Sequence, residues 1–293
     1  MPATMSSSAA APAVPAPVVP EGPIRIGSDD HKRLFCRTFL DTFDPYKPAV
    51  IAWPRLDGDA LARLTGLPFW QLAVETEEEA GRRMQLAADA SADPLIREAI
   101  ALNAFEERRH KDVLENMIRF YGIRIAPEFD PQPLPDPEWA FLQTGYGEAF
   151  DSFFAFGLFK VAQDSGYFPP ELVEVFEPVI QEEARHILFF ANWVAYMQAR
   201  RALPARPLFL ARRLKALAQK AWNRLQFARG SDNRSSMTME GHKSMGISLS
   251  PRAFFELCLA ENDRRMGRYD ARLLRPRFMP AMIRLALPFL GKA

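Results

Sequence analysis

Cysteine is scarce in this sequence, histidine hardly less so, and neither sign of charge is in excess. The 293 residues include two cysteines, Cys36 and Cys258, far apart in the chain. No Cys-x-x-Cys pair therefore exists to hold a rubredoxin-type iron or to run thioredoxin-like exchange. No disulfide framework is indicated either, which makes a reducing cytoplasm the expected compartment. Lys and Arg number 37 against 36 Asp and Glu, a formal net charge of +1, so there is no broad basic field and nucleic acid is not expected as a partner. No run of about 18 uncharged apolar residues occurs to span a membrane. The nearest stretch, residues 278–293, is broken by Pro280, Arg284 and Pro288. Period-two alternation of apolar and polar residues is almost absent too, which removes sheet-based folds and leaves an all-α one.

What is present is helix punctuation. Residues 1–24 are rich in Ala, Pro and Ser and read as a disordered tail rather than a signal peptide, for they lack a basic start and an uninterrupted apolar stretch. Residues 25–68 read as short helices broken by Pro45, Pro48 and Pro54 and ending at Gly66-Leu67-Pro68, a segment that wraps a larger unit. Residues 69–201 carry four long helical patterns, over about 69–91, 94–121, 137–164 and 170–201. Asp93-Pro94 supplies a cap and an N1 proline, Gly122 a stop, and Gly166 with Pro169 and Pro170 a second break. Between the second and third helices, the proline-rich stretch 123–139 has the length of a crossover rather than a tight turn. Helix, helix, long connection, helix, helix describes a four-helix bundle with one crossover, the ferritin-like arrangement.

Residues 202–293 form a C-terminal helical extension. Residues 200–229 hold nine Lys or Arg and no acid, residues 229–247 read as a flexible polar loop, and Ser250-Pro251 starts a further helix. Leu208, Leu210, Leu214, Leu217, Ala218, Trp222 and Leu225 fall largely on one side of a basic helix. That side is expected to pack on the bundle, with an anionic membrane surface or an acidic carrier protein as alternatives.

One pattern occurs twice. Glu106-Glu107-Arg108-Arg109-His110 lies in the second helix and Glu182-Glu183-Ala184-Arg185-His186 in the fourth. Positions i and i+3 share a helix face, so Glu107 with His110, and Glu183 with His186, can converge on one ion. Two of only four histidines occupy these places. In the third helix the stripe Phe141, Gly145, Glu148, Ser152, Ala155, Phe159, Ala162 has Glu148 as its one charge, with Asp151 as the fallback. In the first, Glu77 falls nearest the apolar face, ahead of Glu75 and Glu78. Glu106 and Glu182 point about 100° away from the motif face and read as solvated or as outer partners of the ligands. Arg109 and Arg185 read as surface charges, or as neutralising an outer carboxylate.

Glu, E-x-x-H, Glu, E-x-x-H on four successive helices resembles the ferritin-like di-iron carboxylate superfamily, over residues 69–201. The resemblance implies that Glu77, Glu107, His110, Glu148, Glu183 and His186 ligate two iron ions, or manganese, or one of each. It further implies a dinuclear oxidase or oxygenase that activates dioxygen against a small organic, lipophilic substrate, with an external electron donor. Ferroxidase or peroxide-reducing activity is the alternative, and a non-catalytic helical scaffold the bland one. The length and the missing cysteine-ligated iron domain favour the oxygenase. A homodimer and peripheral contact with the inner face of a membrane are compatible with it.

The remaining aromatic and histidine residues read more plainly. Phe150, Phe153, Phe154, Phe156 and Phe159 are expected as core before channel, and Tyr121 and Tyr146 as packed rather than radical-bearing. His31 looks like a surface residue at a helix start. His242 is expected exposed in the polar loop, with a ligand or lid role as its alternative.

Overall fold

The computed structural model describes residues 21–126, 131, 133–229 and 249–290. Most of the expected tail, part of the crossover, nearly all of the polar loop and His242 lie outside the described residues. Among the described residues every regular element is helical and no strand occurs, as the lack of alternation predicts.

The helices begin and end where the local chemistry directs. α1 (Asp29–Asp41) starts at Ser28, whose side chain accepts from the His31 amide, and α2 (Gly58–Thr65) starts at Asp57 in the same way. Between them Pro48–Val50 makes a single 3-10 turn. α3 spans Trp70–Asp89 and α4 spans Pro94–Tyr121. Asp93 caps α4 by accepting from the Leu95 and Ile96 amides, and Gly122 closes it at φ 66°, a left-handed conformation open to glycine at no steric cost. α5 (Pro137–Ser165) repeats the device with Asp136 and with Gly166 at φ 65°.

The fourth pattern, expected as one helix over 170–201, is instead two: α6 (Pro170–Glu174) and α7 (Glu177–Arg200). Pro178 is the cause. It has no N–H to give the preceding turn, so a proline here fits only the first turn of a new helix. α8 (Arg206–Arg229), α9 (Pro251–Met266) and α10 (Phe278–Ala286) follow.

α3 packs on α4 and α5, and α7 packs on α5 and, more lightly, on α4. Two apolar clusters fill the interior. The first holds Phe39, Met84, Ile100, Phe141 and Trp193, and the second Trp70, Met117, Phe153, Phe159 and Phe254. Along α4 and α5 the first cluster precedes the second, whereas along α3 the order reverses, and α7 starts beside Phe176 of the second and ends in the first. α4 and α5 therefore run the same way, which is why a long connection must carry the chain back between them. The stretches of helix between the two clusters contain the doubled motif.

α1 packs against α4 and α7, burying Leu34, Phe35, Cys36 and Phe39. His31 is buried rather than on the surface. Its Nδ1 accepts from the Gly27 amide, which places the proton on Nε2 and directs it to Asn192 Oδ1 at 3.1 Å. Asn192 in turn bonds the backbone of Leu274 in both directions, so this trio ties α1, α7 and the C-terminal segment together.

α8 turns a different face inward from the one its leucines suggest. Phe209 and Ala216 are buried against the rest, while Leu208, Leu214 and Trp222 are exposed. Arg213, Lys220 and Arg224 lie on the inward stripe, where Tyr146 and Asp151 of α5 await them. The apolar residues of α8 do not mark this face because the surface receiving it is partly polar. Among the described residues no helix is long and apolar enough to cross a membrane.

Both cysteines are free and buried. Burial pushes the Cys258 thiol up to about 12. Cys258 lies where α9 meets α5, over Gly157: a Cβ there would sit 2.4 Å from its Sγ and 3.2 Å from its Cα. Replacing Gly157→Ala should therefore lower stability by about 1–3 kcal/mol, the scale of overpacking, seen as an earlier midpoint in urea unfolding. An unchanged midpoint would show that α9 yields instead.

Candidate metal centre

All six residues singled out by the motif and the two apolar-face arguments come together between the apolar clusters. Glu77, Glu107, His110 and Glu183 offer ligand atoms within 4.8 Å of one another, as do Glu107, Glu148 and His186. Glu107 belongs to both groups. Each motif carboxylate reaches across to the histidine of the other helix: His186 Nδ1 lies 2.8 Å from Glu107 Oε1, and His110 Nδ1 lies 3.3 Å from Glu183 Oε1. His186 Nδ1 is also 3.9 Å from Glu183 Oε1, so Glu183 too stands between the two positions.

The neighbours weighed from sequence separate cleanly. Glu75 accepts from Gln71 at 2.5 Å, Glu78 pairs with Lys111 at 2.6 Å, and Glu79 pairs with Arg83 at 2.7 Å. Glu77 alone of the four turns inward, with Oε2 3.5 Å from His110 Nδ1. Asp151 is held by Arg224 through both oxygens and stands outside the cluster.

An outer layer explains why the repeat has five positions rather than two. Glu106 and Glu182 are buried, not solvated, and each serves the opposite helix. Glu182 takes His110 Nε2 at 2.9 Å together with the Arg109 guanidinium, and Glu106 takes His186 Nε2 at 2.9 Å together with that of Arg185. With Nε2 engaged, each imidazole presents Nδ1 to the centre. Arg109 and Arg185, read first as surface charges, are buried as well, and the N-terminal segment completes their bonding. Arg109 donates to the carbonyls of Asp44 (2.6 Å) and Tyr46 (3.3 Å), and Arg185 to that of Phe39 (3.2 Å).

The inner groups are under electrostatic tension. Burial raises Glu107 to about 8, and burial followed by the charges of Glu107 and Glu183 holds Glu148 well above the usual carboxylate range. Burial would lower His110, but the carboxylates of Glu182, Glu183 and Glu77 around it outweigh that and hold the imidazole well above its usual value. His186 behaves likewise, under the Glu107 charge and the Glu106 hydrogen bond. Burial would raise Glu106, yet His186 and Arg185 hold it down.

A metal fits what is left over. His110 Nδ1, His186 Nδ1, Glu107 Oε1 and both oxygens of Glu148 are buried with no hydrogen-bond partner. The 2.8 Å approach of His186 to Glu107 lacks hydrogen-bond alignment, as expected of lone pairs aimed at a shared point. Uncompensated buried acceptors are costly unless a cation meets them. Glu106 with Arg185 and Glu182 with Arg109 cancel in charge, so two divalent ions would neutralise the four inner carboxylates. Oxygen and imidazole donors without thiolate suit iron or manganese.

Two cavities meet the cluster. One, of about 500 Å³, reaches Glu77, Glu107, Glu148 and Glu183 from a polar mouth carrying Lys220 and Arg224. Burial, with Arg83 and Arg224 nearby, lowers the Lys220 ammonium to about 8. The other, of about 290 Å³, is walled by Trp70, Leu114, Phe159, Leu172 and Phe176 and touches Glu77 and His110. Of the phenylalanines of α5, Phe159 lines this cavity while Phe154 and Phe156 are core.

Tyr121 bonds the Pro54 carbonyl and Tyr146 meets Arg213, both as packed residues. The tyrosine beside the centre is Tyr46, absent from the sequence-based candidates. Its hydroxyl donates to Glu182 Oε2 at 3.2 Å and Arg109 lies over its ring at 3.9 Å. No sequence signal marked it. The recurrence of the first Glu and of the Arg in each motif did mark the outer layer.

Comparison with family models, with curated proteins and with solved structures finds no match for this chain. The outer layer yields a test of its own. Glu106→Gln and Glu182→Gln should each weaken metal binding about 10–100-fold, the usual effect of removing a partner that orients a ligating histidine, while Glu78→Gln leaves it unchanged. Competition with a chelator measures both, with circular dichroism to confirm folding.

Proposed function

We propose that the protein is a dinuclear-metal oxidase or oxygenase, iron being the preferred metal, in which α3, α4, α5 and α7 form a ferritin-like four-helix bundle. The observation that carries the reading is the set of unpartnered, inward-facing donor atoms on Glu107, His110, Glu148 and His186, placed beside a cavity walled by apolar side chains. Glu77, Glu107, His110, Glu148, Glu183 and His186 would hold the ions, with Glu107 and Glu183 shared between the two positions. When bound, such a pair supplies the binding and reduction of dioxygen.

The chain's own part is placement and exclusion. Glu106 and Glu182 fix the imidazole tautomers. Ser152 donates to Glu183 Oε2 at 2.9 Å and so orients that carboxylate. The apolar wall dries one side of the centre and would receive a lipophilic organic molecule against Glu77 and His110. Substrate oxygenation consumes dioxygen and two electrons, which an external donor must provide.

Metal analysis by plasma mass spectrometry after anaerobic ferrous loading tests the reading. About two ions per chain are expected, both lost in Glu107→Ala, in Glu183→Ala and in the His110→Ala, His186→Ala double variant. Failure to load metal would end the proposal. Ala162→Trp, which fills the apolar cavity, should keep the metal and lose turnover of organic substrates under oxygen. If ferrous ion alone is consumed, and Ala162→Trp makes no difference, iron oxidation replaces the oxygenase reading.

A further inference from the structure

A third cavity, of about 390 Å³, lies between α5, α7, α8, α9 and the segment leading into α10. None of the six candidate ligands lines it. Its walls are mostly apolar, with Phe150, Phe153, Phe190 and Phe278 among them, and Phe150 and Phe278 meet edge to face at 5.4 Å. Three cations join this lining, Arg213, Arg275 and Arg277, and no Asp or Glu does.

That charge pattern is unlike the rest of the molecule. The buried guanidiniums elsewhere are matched: Arg109 by Glu182, Arg185 by Glu106 and Arg265 by Glu177. Arg213 is held only by neutral oxygens, from Tyr146 (3.4 Å) and Gln198 (3.2 Å). Arg275 is held by the carbonyls of Tyr269 (2.9 Å) and Leu273 (3.4 Å). These contacts fix the two guanidiniums in place without cancelling their charge. Asp270, the acid nearest in sequence, acts on Arg275 only through space and is engaged by Arg272 through both oxygens. Arg277 is exposed at the rim. Among the described residues none of the three forms an ion pair.

We propose that this cavity is a second binding site, separate from the metal centre, for a small amphipathic anion: an alkyl chain seated among the phenylalanines, with a carboxylate or phosphate head held by Arg213, Arg275 and Arg277. The volume suits a small molecule. Planar guanidiniums not paired with a carboxylate are the groups that take such a head by paired hydrogen bonds, and the aromatic wall gains by covering a tail. An inorganic anion would leave that wall wet, and a cationic or neutral amphiphile would leave the guanidiniums without a counter-charge.

Isothermal titration of the full chain with decanoate, and with decyltrimethylammonium as a probe of the same chain length and opposite charge, tests this. One decanoate per chain should bind, and the cation should not. Arg277→Gln, an exposed change with no bond to lose, should weaken decanoate about tenfold, the scale of one charge-assisted hydrogen bond. Ala195→Phe, which fills the cavity from α7, should abolish binding, and both variants should keep the metal content of the parent. Equal binding of the two probes, or affinity untouched by both variants, overturns the proposal. So does binding lost in Ala162→Trp but kept in Ala195→Phe, which would seat the ligand at the metal centre. Attachment to phosphatidylglycerol vesicles without binding of free decanoate would replace the site by a membrane-surface contact. Since the readout is binding and not turnover, its failure is distinct from failure of the dinuclear reading.

Discussion

Reciprocal bonding between α4 and α7 is the constraint on which the centre depends. Glu106 holds Arg185 and His186 of the facing helix, and Glu182 holds Arg109 and His110. Burying any one of these ions alone would cost several kcal/mol. Together they compensate one another, and the geometry in which they do so leaves both imidazoles with Nδ1 facing inward. Glu107 and Glu148 are then the unresolved part of the charge, for burial raises both carboxyls.

The N-terminal segment belongs to the same argument. An arginine that gives one nitrogen to a glutamate still has other N–H groups to satisfy. The carbonyls of Phe39, Asp44 and Tyr46 meet them, and the rings of Phe39 and Tyr46 lie against the guanidiniums. α1 and the turn after it thus act as a lid on the outer layer. Its prolines hold the chain extended past the arginines instead of letting it coil away.

Much of this was legible in the sequence, and the failures have physical causes. The helix spacing of Glu107 with His110 and of Glu183 with His186 picked out side chains that lie together, and the apolar-face argument picked out Glu77 and Glu148, which turn toward them. Caps at Asp93 and Ser250 placed helix starts closely. Glu106 and Glu182 were left open between solvent and an outer-partner role, and Arg109 and Arg185 were placed first on the surface, because facing-helix partners are invisible to a single-helix projection. His31 was misjudged for the same reason: Gly27 and Asn192, which make its burial tolerable, lie in another turn and another helix. α8 was turned the wrong way because its apolar residues were expected to seek an apolar floor, whereas Asp151 and Tyr146 offer polar ones.

Glu77 lines both cavities that meet at the centre, as do Ala155, Val179 and Ile180. The thickness of one glutamate and three aliphatic side chains therefore separates a cavity edged by Lys220 and Arg224 from one walled by Trp70 and Phe159. The two approaches to the cluster thus differ as solvents do: the cations Lys220 and Arg224 border one, and the rings of Trp70 and Phe159 border the other.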